Sequence, residues 1–523
     1  MKTKFTSMKT QLTTLHNDSV VQTNMNTMKI TNLMRMKLLC LATFAMAITA
    51  AHLTAQVFTP LHSFTGGSDG ANPDAGLILS GNTLYGTTSV GGPSGYGTVF
   101  KVNTDRTGYT TLYRFTGANN QAYPETDLLL SGNTLYGASE GPGTTTGALF
   151  AINTNGTGFT TLHIFTELSG SSYTNSDGAW VYGALILSGN TLYGTAQCGG
   201  SGGSGTVFAV NTNGTGFTTM HSFTATSVPL DPYGNVNPPY FNSDGALPVG
   251  GLILSGNTLY GTTECGGNSG WGTVFAINTD GTGFTNLYSF TGGSDGAVPL
   301  GGLILSGNTL YGTANQGGSS GYGTEFAVNT DGTGFTILHS FSAPSGTSGV
   351  YQNGTNSDGV YPLDGLILSG NTLYGTTSGA GTNGNGTVFA VNTNGTGFTV
   401  LHTFTGANPS NSDGASPQAR LILSGNTLYG TTYKGGSSGD GTVFSLSFPP
   451  PQLTLIPSGP YVNLTWPTNY AGFSYSGYTL QSTTNLVSPV WGTVSPGPVV
   501  VNGQNTVTNP ISGTQMFFRL SSP

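Results

Sequence analysis

The chain has 523 residues, of which only 6% are charged, and its formal net charge is −8. Its three cysteines are too few for a disulfide framework. A weakly charged, acidic surface repels phosphate groups, so nucleic acids and anionic membranes are poor candidate partners.

Residues 1–55 are predicted to be a leader that contains a secretory signal peptide at about residues 28–55. Lys29, Arg35 and Lys37 precede an apolar run at residues 38–51, and small residues follow up to Ala55. About 14 apolar residues are too few to span a bilayer. We therefore expect cleavage after Ala55, secretion and no integral membrane span. The leader holds six of the twelve basic residues and one of the twenty acidic ones, so the mature chain has a formal charge of −13.

The string SGNTLYG organises the mature chain, because it occurs seven times without a change. Successive copies are separated by 51, 57, 67, 51, 63 and 55 residues, so one structural unit recurs with variable insertions. The seven copies, which number the units 1 to 7, begin at Ser80, Ser131, Ser188, Ser255, Ser306, Ser369 and Ser424.

Each unit predicts four short β-strands. The first is GLILS and the second is TLYGT, with Gly-Asn between them. The third is GTVFAVN and the fourth resembles TTLHSF, with a T-[ND]-G-T-G turn between them. Both links are typical of hairpins, since Gly, Asn and Asp tolerate the backbone angles of tight turns. The pattern predicts an antiparallel four-stranded meander in each unit.

The order of the strand patterns predicts a ring. A fourth-strand pattern ending at Phe64 precedes the first unit, whereas the last unit stops after its third strand at residues 444–448. An N-terminal strand that completes the last sheet would close the ring and leave only short, protected sheet edges. We predict an all-β chain with a seven-bladed β-propeller at residues 56–448, closed by an N-terminal outer strand.

The composition changes after the propeller. Residues 449–451 are three prolines and predict a stiff linker. Residues 452–523 contain alternating strand candidates at 453–456, 462–466, 478–482, 499–501 and 516–520, separated by Pro, Gly and Asn turns. About 70 residues of this kind fit a small β-sandwich.

The repeat GLILSGNTLYGTT…GG…GYGTVFAVNTDGTGFTTLHSFTGGSDGA resembles the tandem repeat of the bacterial GloVer family, the secreted "choice-of-anchor" proteins, over about residues 57–448. The resemblance implies an exported repeat protein held at or near the cell surface, and it implies no known biochemical activity. The C-terminal block, with LTW at 464–466, YTLQSTTNL at 478–486 and MFFRL at 516–520, resembles the small immunoglobulin- or fibronectin-like modules that end many secreted bacterial proteins.

Candidate ligand residues lie in the connections that precede the first strands. Six of these seven connections contain S-D-G, with the aspartates Asp69, Asp177, Asp244, Asp295, Asp358 and Asp413. Six carboxylates in one ring could hold Ca²⁺ or contact a polyol, whereas Asp-Gly also makes a turn in which the side chain accepts backbone N–H bonds. The turn, the cation site and the ligand contact remain open at this point, and no other cofactor is expected.

Aromatic residues occupy a second variable position, just before the third strand. Tyr96, Trp271 and Tyr322 lie there in three units. Each ring could be a stacking platform for a sugar, because an aromatic face is apolar while its rim is polar. Packing against the neighbouring loop is the alternative.

Histidines and cysteines recur at equivalent positions. The fourth strand carries His or Tyr at one position, and its histidines are His62, His163, His221, His339 and His402. Outer strands of separate sheets cannot bring these side chains to one metal ion, so packing or edge hydrogen bonding is predicted. Cys198 and Cys265 are equivalent residues of neighbouring units and are predicted either as two free thiols or as a disulfide.

No catalytic signature accompanies the repeats. G-x-S-x-G and H-E-x-x-H are absent, so nucleophilic and zinc hydrolysis have no support. We expect a non-enzymatic, monomeric binding or scaffold protein, outside the cell or at its surface, with an extracellular glycan or a surface protein as partner. The alternative is a carbohydrate-binding or carbohydrate-active propeller that uses the face formed by the variable loops.

Overall fold

A computed structural model describes residues 56–143, 145–227, 240–346, 354–405, 413–470, 472–475, 477–511 and 516–521. The predicted signal peptide lies outside these residues. The chain from Gln56 onward is one compact unit. Its described residues contain strands and a single 3-10 turn at Ala118–Asn120, and none of them belongs to a helix that could cross a membrane.

Each unit begins with a hairpin. The first strands are Ile78–Ser80, Leu129–Ser131, Ile186–Ser188, Ile253–Ser255, Ile304–Ser306, Ile367–Ser369 and Ile422–Ser424. The second strands are Thr83–Thr88, Thr134–Ser139, Thr191–Ala196, Thr258–Thr263, Thr309–Ala314, Thr372–Thr377 and Thr427–Thr432. The Gly of each SGNTLYG has a φ of 57° or 58°, as Gly81 does, and other residues rarely adopt this conformation. The predicted tight turn between these strands is therefore confirmed.

A second hairpin completes the unit. The third strands are Thr98–Asn103, Ala148–Asn153, Thr206–Asn211, Thr273–Asn278, Thr324–Asn329, Thr387–Asn392 and Thr442–Ser447. The fourth strands are Val57–Ser63, Thr110–Arg114, Thr160–Ile164, Thr218–Ser222, Thr285–Ser289, Thr336–Ser340 and Thr399–Thr403. In the turn of unit 4, Asp280 Oδ1 accepts hydrogen bonds from Thr282 N at 2.9 Å and Thr282 Oγ1 at 2.7 Å. The side chain of the T-[ND]-G-T-G turn thus holds the hairpin closed.

Within the described residues, positions 57–447 hold seven four-stranded antiparallel sheets in tandem. Six sheets take all four strands from consecutive segments of the chain. The seventh consists of the three strands of unit 7 and the N-terminal strand Val57–Ser63, which pairs antiparallel with Thr442–Ser447. Val57 lies opposite Ser447 and Ser63 lies opposite Thr442. The last sheet therefore joins the two ends of the repeat region.

The hydrophobic core is divided among the contacts between consecutive sheets. A phenylalanine that follows each fourth strand meets, edge to face, a phenylalanine in the third strand of the next unit, as Phe115 meets Phe150 with ring centroids 5.4 Å apart. Such pairs stabilise by about 0.5–1.5 kcal/mol beyond the area that they bury. Phe64, from the last sheet, meets Phe100 of unit 1 in the same way at 5.2 Å. The contact between the last and first units thus has the same form as the others.

Backbone hydrogen bonds repeat between the units in the same order. In each unit a residue with φ between 52° and 59° donates its N–H to the carbonyl of the residue two positions before the third strand of the preceding unit. Asn72 of unit 1 completes the series by donating to the carbonyl of Asp440 of unit 7 at 2.8 Å. The remaining donors are Tyr123, Trp180, Leu247, Val298, Tyr361 and Ser416.

The C-terminal region forms further antiparallel sheets. The first sheet contains, in order, Thr454–Ser458, Tyr461–Pro467, Gln504–Pro510 and Val499–Val501. The second sheet contains Gly492–Thr493, Thr479–Thr483 and Phe517–Ser521. A separate hairpin contains Asn469–Tyr470 and Phe473–Ser474. Leu464, Trp466, Leu480 and Val507 form their buried core. All five predicted strand segments overlap an observed strand.

The hairpin of the C-terminal region packs against units 6 and 7. Phe473 stacks on Phe448 with ring centroids 4.2 Å apart, and Ser474 N donates to the hydroxyl of Tyr374 at 2.9 Å. Tyr475 donates its hydroxyl to the carbonyl of Pro449. The three prolines that were predicted to be a linker are therefore followed by a docked module.

Candidate functional site

The six aspartates of the S-D-G connections lie in repeated hydrogen-bond networks at the edges of the sheets. In the last sheet, Asp69 accepts hydrogen bonds from His62 Nε2 at 3.1 Å and from Thr65 N at 3.2 Å. Where the fourth strand carries Tyr288, its hydroxyl donates to Asp295 at 2.9 Å. We call the aspartate, the His or Tyr and the following Thr or Ser the edge network of a unit. Asp177, Asp244, Asp358 and Asp413 have the same partners.

These hydrogen bonds lower the pKa of four of the aspartates, Asp177, Asp244, Asp358 and Asp413. Burial acts to raise the pKa of Asp177, but hydrogen bonds from His163 and Thr166 together outweigh burial and hold that pKa below its ordinary value. The pKa of Asp244 is lowered in the same way by His221 and Thr224. Each carboxylate thus stabilises the turn that follows its own fourth strand, while a direct ligand contact stays a prediction.

Metal binding was a second interpretation of these aspartates. Each is held within its own unit, and in the described part of the chain no three His, Cys, Asp or Glu side chains lie close enough together to hold a metal ion. The edge networks do show why His and Tyr alternate at one position of the fourth strand. Both can donate a hydrogen bond to the aspartate, and His62 also stacks on Tyr109 of the next unit with ring centroids 3.7 Å apart.

The three predicted stacking residues are half-buried. The ring of Tyr96 lies over Gly117, where a Cβ would approach it to 2.9 Å, and meets Tyr123 at 5.6 Å. Trp271 lies over Gly292 in the same way, and Tyr322 meets another tyrosine ring at 5.6 Å. Part of each aromatic face is therefore occupied by the chain itself, and sugar stacking stays a prediction.

The two cysteines of units 3 and 4 are buried in one cluster. Cys198 and Cys265 are both free thiols and pack with Trp180 and Leu247. Burial raises the pKa of each thiol, and the nearby Glu264 carboxyl adds to this effect. Of the two interpretations of the sequence, the structure shows free thiols.

A cavity of about 210 Å³ lies where the seven first strands begin. Every unit contributes at least one residue to it, so the cavity is central to the repeat region. The lining residues are Asp74, Ala75, Glu125, Asp127, Tyr182, Gly183, Ala184, Val249, Gly250, Gly251, Leu252, Leu300, Gly302, Leu303, Leu363, Asp364, Gln418 and Arg420. We call this space the central cavity.

Arg420 joins two of the cavity carboxylates. Its guanidinium donates to Asp127 at 3.2 Å, and its backbone N–H donates to Asp364 at 2.7 Å. Asp127 also accepts the N–H of Gly76 at 2.5 Å, so these contacts connect units 6, 7, 1 and 2. Burial and the Asp127 carboxylate raise the pKa of Asp364 to about 6 although Arg420 opposes them.

The other two acidic residues of the cavity are Asp74 and Glu125. Within the described residues neither Asp74 nor Glu125 has a hydrogen bond or an ion pair. Burial and the Asp364 carboxylate raise the pKa of Asp74 to about 6. Burial, with Asp74 and Glu140 nearby, raises the pKa of Glu125 well above its ordinary value. The cavity therefore contains acids that the fold leaves without a counter-charge.

The opposite wall of the cavity is apolar. The side chains of Val249 and Leu300 line it from units 4 and 5, whereas those of Leu252 and Leu303 pack in the cores between sheets. Burial raises the pKa of Glu140, and the hydroxyl of Tyr182, next to the acidic side of the cavity, opposes this effect. An acidic arc and an apolar arc thus face each other across one small space.

The sequence interpretation missed this cavity, although a signal was present. Sixteen of the eighteen lining residues occupy the three positions before the Leu of GLILS, which are small or apolar in units 4 and 5. Charged residues at these positions, such as Asp127, Asp364 and Arg420, are departures from an otherwise constant repeat. They lie next to each other only because the first strands converge.

A family model described as the Gloeobacter/Verrucomicrobia repeat matches residues 47–239, 236–355 and 344–487. No curated protein matches the sequence. Oligogalacturonate lyase from Vibrio parahaemolyticus is 9% identical with a TM-score of 0.45, over 76% of this chain and 95% of that chain. The nidogen/laminin complex is 15% identical with a TM-score of 0.32, over 55% of this chain and 83% of that chain. These distant likenesses carry no argument about the ligand or the activity of this chain.

Proposed function

This chain belongs to the Gloeobacter/Verrucomicrobia repeat family, and from that premise we propose that it is a secreted, non-enzymatic binding protein. Its repeat region is a closed seven-bladed β-propeller, and its ligand is a small molecule that enters the central cavity. The observation that carries the binding role is the pair Asp74 and Glu125, two acids that line the cavity without a partner. Both side chains are partly exposed, so a ligand that enters the cavity can replace the water that hydrates them.

Closure of the propeller is supported by contacts between its two ends. The N-terminal strand pairs with the third strand of unit 7, and Leu61 and Phe64 pack with Leu84 and Phe100 of unit 1. Thr431 Oγ1 also donates to the carbonyl of Ala75 at 3.1 Å. Equivalent hydrogen bonds from the second strand of one unit to the next unit link units 3 to 7 in succession.

Deletion of residues 56–64 tests this closure. The truncated chain should lose the seventh sheet's outer strand and the Phe64 contact, and its melting temperature should fall by more than about 10 °C, since losing one buried Phe alone costs about 3–5 kcal/mol. A single Val57→Thr substitution, at an exposed position of the same strand, is the control and should change little. A truncated protein as stable as the full chain would contradict a closed ring.

The C-terminal region is proposed to be an immunoglobulin- or fibronectin-like module. Two antiparallel sheets share the core of Leu464, Trp466, Leu480 and Val507, as such modules require. Secretion is proposed from the predicted signal peptide. We assign the module a role in export or surface retention rather than in binding, because the central cavity receives no residue from it.

Hydrolysis in the same cavity is a second candidate, favoured by the raised pKa of Asp74 and Asp364. Carboxyl groups with pKa values near 6 are suited to general acid–base catalysis, and a carbohydrate-active propeller was the alternative interpretation of the sequence. Reducing-end assays on a panel of polysaccharides separate the two candidates. Turnover that disappears in Asp74→Asn would favour the enzyme.

A ligand screen by thermal shift tests the binding role. Ligands that bind the folded state raise the melting temperature, so sugars, amino acids, amines and carboxylic acids are compared on the wild type and on Leu300→Trp, which fills the cavity from its apolar wall. We expect at least one class to stabilise the wild type and not the variant. A screen in which no compound does so would overturn the proposal.

A further inference from the structure

The carboxylates of the central cavity are unequally supplied with partners. Asp127 and Asp364 are both bound by Arg420. Asp74 and Glu125 line the same space with neither a hydrogen bond nor an ion pair among the described residues. Four acids therefore share one guanidinium, and the two without a partner face the cavity.

This charge distribution favours a positively charged ligand over a negatively charged one. A carboxylate removed from water is stable only when a donor or a cation replaces the water. The guanidinium of Arg420 lies against Asp127 at 3.2 Å, and its single positive charge is outnumbered by the four acidic residues of the cavity. An anion would also add to the excess of negative charge, whereas a cation would reduce it.

The apolar wall selects the kind of cation. A bare Ca²⁺ ion needs about six to eight oxygen ligands, and among the described residues no three metal-ligating side chains lie close together. A polyol would place hydroxyl groups against the side chains of Val249, Leu300 and Leu363, which offer no hydrogen bonds. A cation with a hydrocarbon part is complementary to both walls at once.

We infer that the central cavity takes a small organic ammonium ion, with its nitrogen against Asp74 and Glu125 and its hydrocarbon part against Val249 and Leu300. The inference deepens the proposed function and rests on it. A volume of about 210 Å³ limits the ligand to a short chain or a small ring. The NH₃⁺ group has three donors, and two carboxylates can accept all of them.

Binding of such an ion is coupled to proton release. The pKa of Asp74 is raised to about 6 by burial and by Asp364, so a cation that stabilises the carboxylate displaces a proton at acidic pH. Affinity should therefore increase as the pH rises through about 6, because each proton released gives up to tenfold per pH unit, and it should continue to increase until Glu125, whose pKa is also raised, is ionised.

Isothermal titration of the secreted chain with butylamine tests the inference, with butanol as the neutral analogue. We expect butylamine to bind at pH 7.5, to bind about tenfold more weakly at pH 5, and butanol to show no binding. Two buffers with different ionisation enthalpies should give different apparent enthalpies at pH 6, as proton release requires. Equal binding of butylamine and butanol would overturn the inference.

Substitutions of the two cavity carboxylates test whether they bind the ammonium ion. Asp74→Asn and Glu125→Gln should each weaken butylamine binding by about tenfold or more, since about 1.4 kcal/mol is tenfold in affinity. Asp331→Asn is the matched control, because it removes an exposed acid from a turn where units 2, 3 and 6 already carry Asn. Loss of binding in the control, or unchanged binding in both cavity variants, would contradict the assignment.

The result also distinguishes this inference from the proposed function. A sugar or a carboxylic acid that stabilises the wild type but not Leu300→Trp, while amines have no effect, would refute the ammonium ligand and leave the binding role in place. If no compound of any class distinguishes Leu300→Trp from the wild type, both fail.

Discussion

Carboxylates of the edge networks and of the central cavity have opposite surroundings. Asp244 accepts hydrogen bonds from His221 and Thr224 and has a lowered pKa despite burial. Asp74 accepts none, and burial raises its pKa to about 6. The first arrangement recurs around the repeat region, whereas in the central cavity the second is found at Asp74 and Glu125. Repeated acids therefore contribute to the stability of the fold, whereas singular acids are candidates for a ligand.

Glu325 is an exception to this comparison, because it is a singular acid that lies outside the central cavity. Its substitution should change the free energy of unfolding the most. It replaces a Val or Leu of the third strand, is fully buried, and neither carboxylate oxygen has a partner. Burial raises its pKa to about 8. Since the unfolded group ionises near pH 4.5, stability falls as the pH rises from about 4.5 to about 8. Glu325→Val should gain about 3 kcal/mol at pH 7.

Urea unfolding at pH 5 and pH 8 measures this gain, which should be larger at pH 8. Val274→Glu introduces the same residue at the equivalent position of unit 4 and should show the opposite change. A Glu325→Val protein that is less stable than the wild type would mean that Glu325 is a singular acid with a function of its own.

Asp244→Ala tests the stabilising half of the comparison. The substitution leaves His221 Nε2, Thr224 N and Thr224 Oγ1 without their acceptor, and about 2–3 kcal/mol of stability should be lost. Because the pKa of Asp244 is lowered, its contribution is present at neutral pH and disappears as the pH falls below about 4. Denaturant unfolding at pH 7 and pH 3.5 measures both parts. Equal losses at the two values would refute the role of the charge.

Asp74→Asn should increase stability, whereas Asp244→Ala lowers it, and the change should be smaller. Its raised pKa means that ionisation destabilises the fold as the pH rises from about 4 to about 6. The variant should therefore gain about 1–2 kcal/mol at pH 8 and nothing at pH 4. The reference is Asp331→Asn, measured under the same conditions. A loss of stability at pH 8 would show that the fold does supply Asp74 with a partner.

Tyr288→His should have the smallest effect. Tyr288 donates to Asp295 at 2.9 Å as histidines do in five other networks, so the change should stay within about 0.5 kcal/mol at pH 7. Tyr288→Phe removes the donor and should cost about 1 kcal/mol. Equal stabilities of the His and Phe variants would show that packing alone selects the residue at this position.

The strands and turns could be predicted because their causes are local. Gly81 must take a positive φ in a two-residue turn, and Asp280 closes a turn with a residue two positions away. The pairing of Val57–Ser63 with unit 7 was also predictable. A count of strand patterns finds one extra fourth strand before unit 1 and none after the third strand of unit 7. The edge networks were only half predicted, since the partner of each His lies across a connection of variable length.

The sequence by itself determined the repeat, its four strands and the position of the odd strand, because turn chemistry and hydrophobic alternation act over a few residues. Only the tertiary structure decided which of the residues that depart from the repeat contact each other. Asp127 and Arg420 are 293 residues apart and lie 3.2 Å from each other because the first strands of units 2 and 7 begin at one cavity. The ionisation of Asp74 was decided there too, since burial and the charge of Asp364 act through space and not along the chain.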